Sequence, residues 1–144
     1  MSDKDTEITF HHRLPLQIRF NDVDMFGHVN NAMYLQYLDM GKMTYFNAFT
    51  GRDFTHEPTV PVVVNVNIDF KAPTRIHEII FVETAMEHVG DSSMVLAQRV
   101  VNAEGAVKCA ARTVMVNIDA KTGAPTPVDG RWRNFFNEME GREV

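Results

Sequence analysis

The segment from Asn31 to Phe49 constrains the fold more than any other part of the chain. Tyr34, Leu38, Tyr45 and Phe49 recur at helical spacing, and Leu35, Met40, Met43 and Phe46 occupy neighbouring faces, so a helix here is apolar over most of its circumference. Gln36, Asp39, Lys42 and Asn47 interrupt the run too often for a membrane span, and Gly51 offers a stop. Such a helix needs cover on more than one side, from a sheet that curves around it or from a sheet plus a partner.

The rest of the chain supplies the sheet. Leu14, Leu16, Ile18 and Phe20 alternate with polar residues and predict a strand over 13–20. Val64, Val66, Ile68 and Phe70 alternate with Asn65, Asn67, Asp69 and Lys71 in a second strand that Pro73 ends, after a polar loop at 52–58. Strands at 79–89, 94–101 and 107–118 are separated by the turns Gly90-Asp91-Ser92-Ser93 and Asn102-Ala103-Glu104-Gly105, short enough to imply antiparallel neighbours. Trp132, Phe135, Phe136 and Met139 mark a short closing helix. The order strand, helix, then four strands in a meander predicts an α+β domain: one antiparallel sheet of about five strands curled around the long central helix, with a short C-terminal helix. No repeat or linker divides 1–144, which reads as a single domain with a flexible start at 1–12. Unpaired edge strands predict a homodimer or a homotetramer.

Composition narrows the partners. Fourteen Lys and Arg against nineteen Asp and Glu leave a net charge of -5, with the bases scattered, which argues against nucleic acid. Ten Phe and nine Met argue against disorder. The single cysteine, Cys109, forbids an internal disulfide and reads as a packed thiol among Val107, Ala110 and Ala111. No Cys/His cluster with zinc spacing is present. The first dozen residues lack the apolar centre of a signal peptide, which predicts a cytoplasmic protein without membrane attachment.

The densest group of unusual residues is Asn21 to Asn31, between the first strand and the helix. Unpaired N–H groups and the positive end of the helix dipole meet side chains there, a setting that holds an oxyanion. Asn30 or Asp22 alone would read as a helix cap. Two carboxylates two residues apart, a glycine that permits close backbone approach and a histidine go beyond what a cap needs.

These residues also carry a resemblance. Arg19-Phe20-Asn21-Asp22-Val23-Asp24-Met25-Phe26-Gly27-His28-Val29-Asn30-Asn31-Ala32-Met33-Tyr34 resembles the signature of hotdog-fold acyl-CoA thioesterases of the 4-hydroxybenzoyl-CoA thioesterase type, and 64–73 resembles that family's second strand and its end. The resemblance covers nearly the whole chain. It implies hydrolysis of an acyl-CoA thioester to a free acid and CoA, with a place in lipid metabolism and no cofactor or metal. Asp24, the second aspartate of the pair, would be the catalytic carboxylate, acting as a nucleophile or as a general base on water. The backbone N–H at Asn31 would bind the oxyanion.

Gly27, His28, Asn30 and Tyr34 would contact the substrate, although His28 also reads as a loop-ordering residue and Tyr34 as core, and Asp22 reads as the residue that holds the loop. The His-Val-Asn-Asn form leans towards a fatty acyl group over an aromatic one. Lys71, Arg75 and Arg99 are the basic candidates for the CoA phosphates. The turn at 90–93 lacks the bases that some members carry there, which leaves a thioester of acyl carrier protein open as the substrate. The competing readings are a hotdog dehydratase or hydratase, which uses a different His and carboxylate spacing, and a non-catalytic acyl-thioester binding protein, which has no need for Asp24.

Overall fold

The computed structural model describes residues 8–51 and 55–144. β1 (His12–Leu16) leads through one 3-10 turn (Phe20–Asp22) and the loop 23–30 into α1 (Asn31–Thr50). β2 (Thr59–Phe70), β3 (Ile80–Val89), β4 (Ser93–Asn102), β5 (Val107–Asp119) and α2 (Gly130–Glu140) follow. All five strands form one antiparallel sheet in the order β1-β3-β4-β5-β2. Of the start expected to be flexible, residues 1–7 lie outside the described residues. Phe10 packs its ring 4.4 Å from the Arg99 guanidinium, and His12 opens β1.

The meander holds for β3, β4 and β5 but not for β2, which pairs with β5 instead of β3. The edge of β3 is already taken by β1, from His12 opposite Thr84 to Leu16 opposite Ile80, so the chain leaving α1 joins the sheet at its far side. β1 also stops at Leu16 and not at Phe20. The Asp22 carboxylate accepts the Arg19 N–H at 2.9 Å and the Asp22 N–H reaches the Arg19 carbonyl at 2.9 Å, which turns the chain where side-chain alternation continues. β2 begins at Thr59, before the alternation starts, because its register shifts between Val63 and Asn65 and a bulge breaks the period.

The Asn30 side chain caps α1 by accepting the Ala32 N–H at 3.1 Å, and Gly51, in the left-handed region at φ 67°, ends it. The helix lies very close to the sheet at Gly41, where an added Cβ would stand 2.4 Å from Val82 Cγ1. Its first half packs Tyr34, Tyr37 and Leu38 with Val82, Val100 and Cys109. Its second half packs Tyr45 and Phe46 with Met86, Leu96 and the α2 residues Trp132 and Phe136. Buried Glu140 fastens α2 by accepting the Tyr45 hydroxyl and the Met86 N–H. The sheet covers one side of α1; Leu35, Met40 and Met43 on the helix, and Val64 and Val66 on β2, remain exposed. No helix among the described residues is long and apolar enough to cross a membrane.

Candidate active site

The loop before α1 is built around two aspartates in opposite situations. Asp22 is buried, and its carboxylate accepts four hydrogen bonds: from the Arg19 N–H, from Arg19 Nε at 3.2 Å, from Arg19 Nη2 at 3.0 Å and from the Tyr37 hydroxyl at 2.8 Å. Burial alone would raise this carboxyl, but the Arg19 N–H, the Tyr37 hydroxyl and the guanidinium together hold it below the usual aspartate value. The same contact, added to burial, pushes the Tyr37 phenol far above its ordinary range.

The Asp22 carbonyl accepts the Asn30 N–H at 2.8 Å, which closes the loop at its base. Inside that closure the Asp24 N–H donates to the His28 carbonyl at 2.8 Å, and the Gly27 N–H to the Asp24 carbonyl at 3.0 Å. Gly27 sits at φ 77°, where other residues are strained, and beyond its chain neighbours no described residue comes within 4 Å of the missing Cβ. The positive φ by itself calls for glycine, and the open space at its Cβ position leaves room for the close approach expected from the sequence.

Asp24 is exposed. Its Oδ1 accepts the N–H groups of Phe26 at 2.9 Å and His28 at 3.2 Å, and its Oδ2 has no hydrogen bond among the described residues. The carboxylate is thus fixed through one oxygen and open at the other.

A cavity of about 450 Å³ lies between this loop, the first turn of α1 and the chain after β2. Asp24, His28, Asn30, Asn31 and Tyr34 stand on one side of it, and 70–73 on the other. In the first turn the Ala32 N–H is taken by the Asn30 side chain and the Met33 N–H by the Asn30 carbonyl, so the Asn31 N–H is the one these caps leave unpaired. Tyr34 is buried, its hydroxyl 2.8 Å from Thr74 Oγ1 and its ring 5.6 Å from Phe70, so it serves the core and the cavity wall together.

The three basic candidates do not form one patch. Lys71 is exposed on the cavity wall. Arg75 forms an antiparallel bridge with His28 and lines a second cavity, of about 480 Å³, which it shares with His77 and which meets the first at Pro73. Arg99 is bonded to Glu83 at 2.7 Å on the sheet face turned away from α1, because its neighbours Gln98 and Val100 point to the buried side. It lines an outer groove that Lys71 also touches, and is not part of the cavity. Cys109 is fully buried, and burial pushes its thiol up to about 11, which removes it as a nucleophile.

Sequence reading missed Tyr37, Thr74, Glu78 and Lys108. Tyr37 is hidden in the apolar run of α1, and Thr74 follows Pro73 in the chain past the end of β2. Lys108 carried a signal: a lysine between Val107 and Cys109, in a strand whose neighbours are apolar, needs a buried partner.

One antiparallel sheet laid against a single long helix, with a carboxylate loop at the helix start, is the hotdog architecture of thioester hydrolases. The chain belongs to the thioesterase-like superfamily, whose sequence profile matches residues 18–136. Among curated proteins it is 27% identical over 126 residues to the long-chain acyl-CoA thioesterase FadM of Escherichia coli K12, covering 86% of this chain and 96% of that protein. It is 26% identical over 109 residues to the acyl-CoA thioester hydrolase YbgC of Escherichia coli O6:H1, covering 74% and 81%. Among solved structures, a thioesterase from Thermus thermophilus crystallised with coenzyme A and zinc superposes with a TM-score of 0.82 at 27% identity, over 94% of this chain and 98% of that one.

Proposed function

We propose that the protein hydrolyses fatty acyl-CoA thioesters, with Asp24 as the reacting carboxylate. The observation that carries this reading is the division of labour within Asp24, which lines the cavity beside the start of α1: Oδ1 is held by the Phe26 and His28 N–H groups while Oδ2 has no hydrogen bond among the described residues. A carboxylate oriented this way delivers one oxygen to the thioester carbonyl carbon, or to a water beside it, without reorganising. The carbonyl oxygen then gains charge within reach of the first turn, where the Asn31 N–H and the helix dipole stabilise it. Hydrolysis ends with the acid and the CoA thiol released. The named activities of FadM and YbgC, both acting on acyl-CoA, support the substrate class.

Asp24→Asn keeps the shape and removes the charge, so kcat is expected to fall by ~100-fold or more on a panel of short, medium, long and aromatic acyl-CoAs, the usual scale for losing a positioned acid or base. Unchanged turnover would end the assignment. A single turnover in ¹⁸O-water that leaves label in Asp24 shows attack by Asp24 itself, with water opening the resulting anhydride at the aspartyl carbon.

For the CoA nucleotide we place Lys71 and Arg75 at the rim, on either side of Pro73 where the two cavities meet. Reversing both charges is expected to raise KM for acyl-CoA while leaving KM for a short N-acetylcysteamine thioester unchanged. An equal effect on both would mean that the carrier's phosphates do not bind there. The same reading places the protein in the cytoplasm, where CoA thioesters are made. It also makes the protein a homodimer joined along β2, whose exposed Val64 and Val66 and unpaired edge, together with Leu35 and Met43 of α1, call for cover.

A further inference from the structure

The wall facing Asp24 is itself held by an ion pair whose lysine is buried. Lys108 is 7% exposed, and its Nζ lies 2.9 Å from Glu78 Oε1 and donates to the Pro73 carbonyl at 3.0 Å. Glu78 accepts the Arg75 N–H at 2.7 Å and the Asn102 side-chain amide at 3.0 Å. The Lys108 carbonyl accepts the N–H groups of Lys71 at 2.8 Å and Ala72 at 3.2 Å. Two residues therefore hold the backbone of 71–73 and of Arg75, on both sides of Thr74.

Thr74 is fully buried and makes the contacts that reach the reacting side. Its carbonyl accepts the Val29 N–H at 2.7 Å, and its hydroxyl meets the Tyr34 hydroxyl at 2.8 Å. Lys108 reaches this place because it is the extra residue of a bulge: Val100 pairs with Cys109 and Val101 with Val107, leaving Lys108 without a cross-strand partner on β4. A bulge beside a site re-aims a side chain at the cost of ladder pairing.

We infer that Glu78 and Lys108 are positioning residues for the hydrolysis proposed above, bracing Thr74 so that Val29, Tyr34 and the cavity wall keep their distance from Asp24. The inference rests on that reading of the site, but its test does not depend on activity alone. Glu78→Gln and Lys108→Met are compared with the parent full-length chain by amide exchange at single-residue resolution and by steady-state kinetics, well below the melting temperature.

The expected result is that the Val29 amide exchanges at least tenfold faster while Val82 and Val100 in the β3 and β4 core do not change. kcat is expected to fall about tenfold, with KM within twofold, on both acyl-CoA and the short N-acetylcysteamine thioester. Glu78→Gln, which keeps the shape, supplies the comparison if Lys108→Met does not fold. Faster exchange at Val29 only together with Val82 and Val100, or a fall in kcat without faster Val29 exchange, or the reverse, overturns the brace. If the parent turned over no acyl-CoA, the hydrolysis reading would fall, and the exchange comparison would still decide whether the pair holds Val29.

Discussion

Replacing Asp22 by Asn tests whether the buried carboxylate holds the loop that carries Asp24. The new amide has one oxygen and one NH₂ where four donors now converge, two at each oxygen. Placing the NH₂ towards the Arg19 guanidinium is the cheaper arrangement, because the Arg19 side chain is 67% exposed and can swing into water. That loses a partly screened ion pair, about 0.5–1 kcal/mol. The remaining bonds, from the Arg19 N–H and the Tyr37 hydroxyl, change from charge-assisted to neutral, about 1 kcal/mol each.

The sum, about 2.5–3 kcal/mol, corresponds to a fall in Tm of roughly 8–12 °C for a chain of this length, measured at one protein concentration. pH provides a second signature. The folded Asp22 carboxyl lies below its ordinary value of 3.8, so its contribution is complete above that value and is lost as pH falls through the folded one. The parent therefore loses stability on acidification that the Asn variant does not, and the gap between their melting temperatures narrows towards pH 3. Asp22→Ala, which leaves the Tyr37 hydroxyl and the Arg19 N–H without an acceptor, is expected to cost about 3–5 kcal/mol. An Asn variant as stable as the parent at pH 7, or a gap that stays constant down to pH 3, would show that the Asp22 carboxylate does not hold the loop.

Two further outcomes follow from packing. Gly41→Ala should gain about 1 kcal/mol in helix propensity but puts a methyl 2.4 Å from Val82 Cγ1 and 3.2 Å from Thr84 Oγ1, both fully buried. Overpacking of about 1–3 kcal/mol outweighs the gain because a β-branched strand residue has little room to turn, and urea denaturation should show a net loss that Val82→Ala partly restores. Cys109, buried with its thiol raised to about 11, should stay unreacted with a disulfide reagent at pH 8 until the protein is denatured, so a thiol-release assay of CoA has no background from the folded enzyme; a fast native reaction would show that β5 opens.

What could be read from the sequence depends on the range of the interaction that decides each feature. α1 was legible because Tyr34, Leu38 and Tyr45 repeat with the helix, and its cap, Asn30, and its stop, Gly51, lie next to it. The end of β1 was not, because the alternation runs on to Phe20 while the bonds between Arg19 and Asp22 turn the chain. The neighbour of β2 depends on where a crossover lands, and no local pattern records that β1 already occupies β3. Arg99 alternates like any strand residue, and only the known face of its neighbours shows that it points away from α1. Asp24, His28 and Asn31 lie close together in the sequence, in one short loop and the helix start it leads into, so their grouping was visible, whereas Thr74 and Lys108 meet it across the fold.

The two aspartates explain why a loop this exposed can hold a reacting group. Loops gain little rigidity from packing, so their order must come from hydrogen bonds. A single carboxylate cannot both saturate the local donors and keep an oxygen open: Asp22 accepts four bonds and has none to offer a substrate, while Asp24 accepts two on one oxygen and leaves the other open. Burying Asp22 beneath the loop lets Asp24 stand above it with half of its bonding unused. The wall opposite repeats part of the arrangement, with half-buried Glu78 bonded by three donors and holding backbone that faces the cavity. Each side of the site is thus held by charged side chains whose bonds are made within the protein, and this is why the exposed residues alone do not account for its geometry.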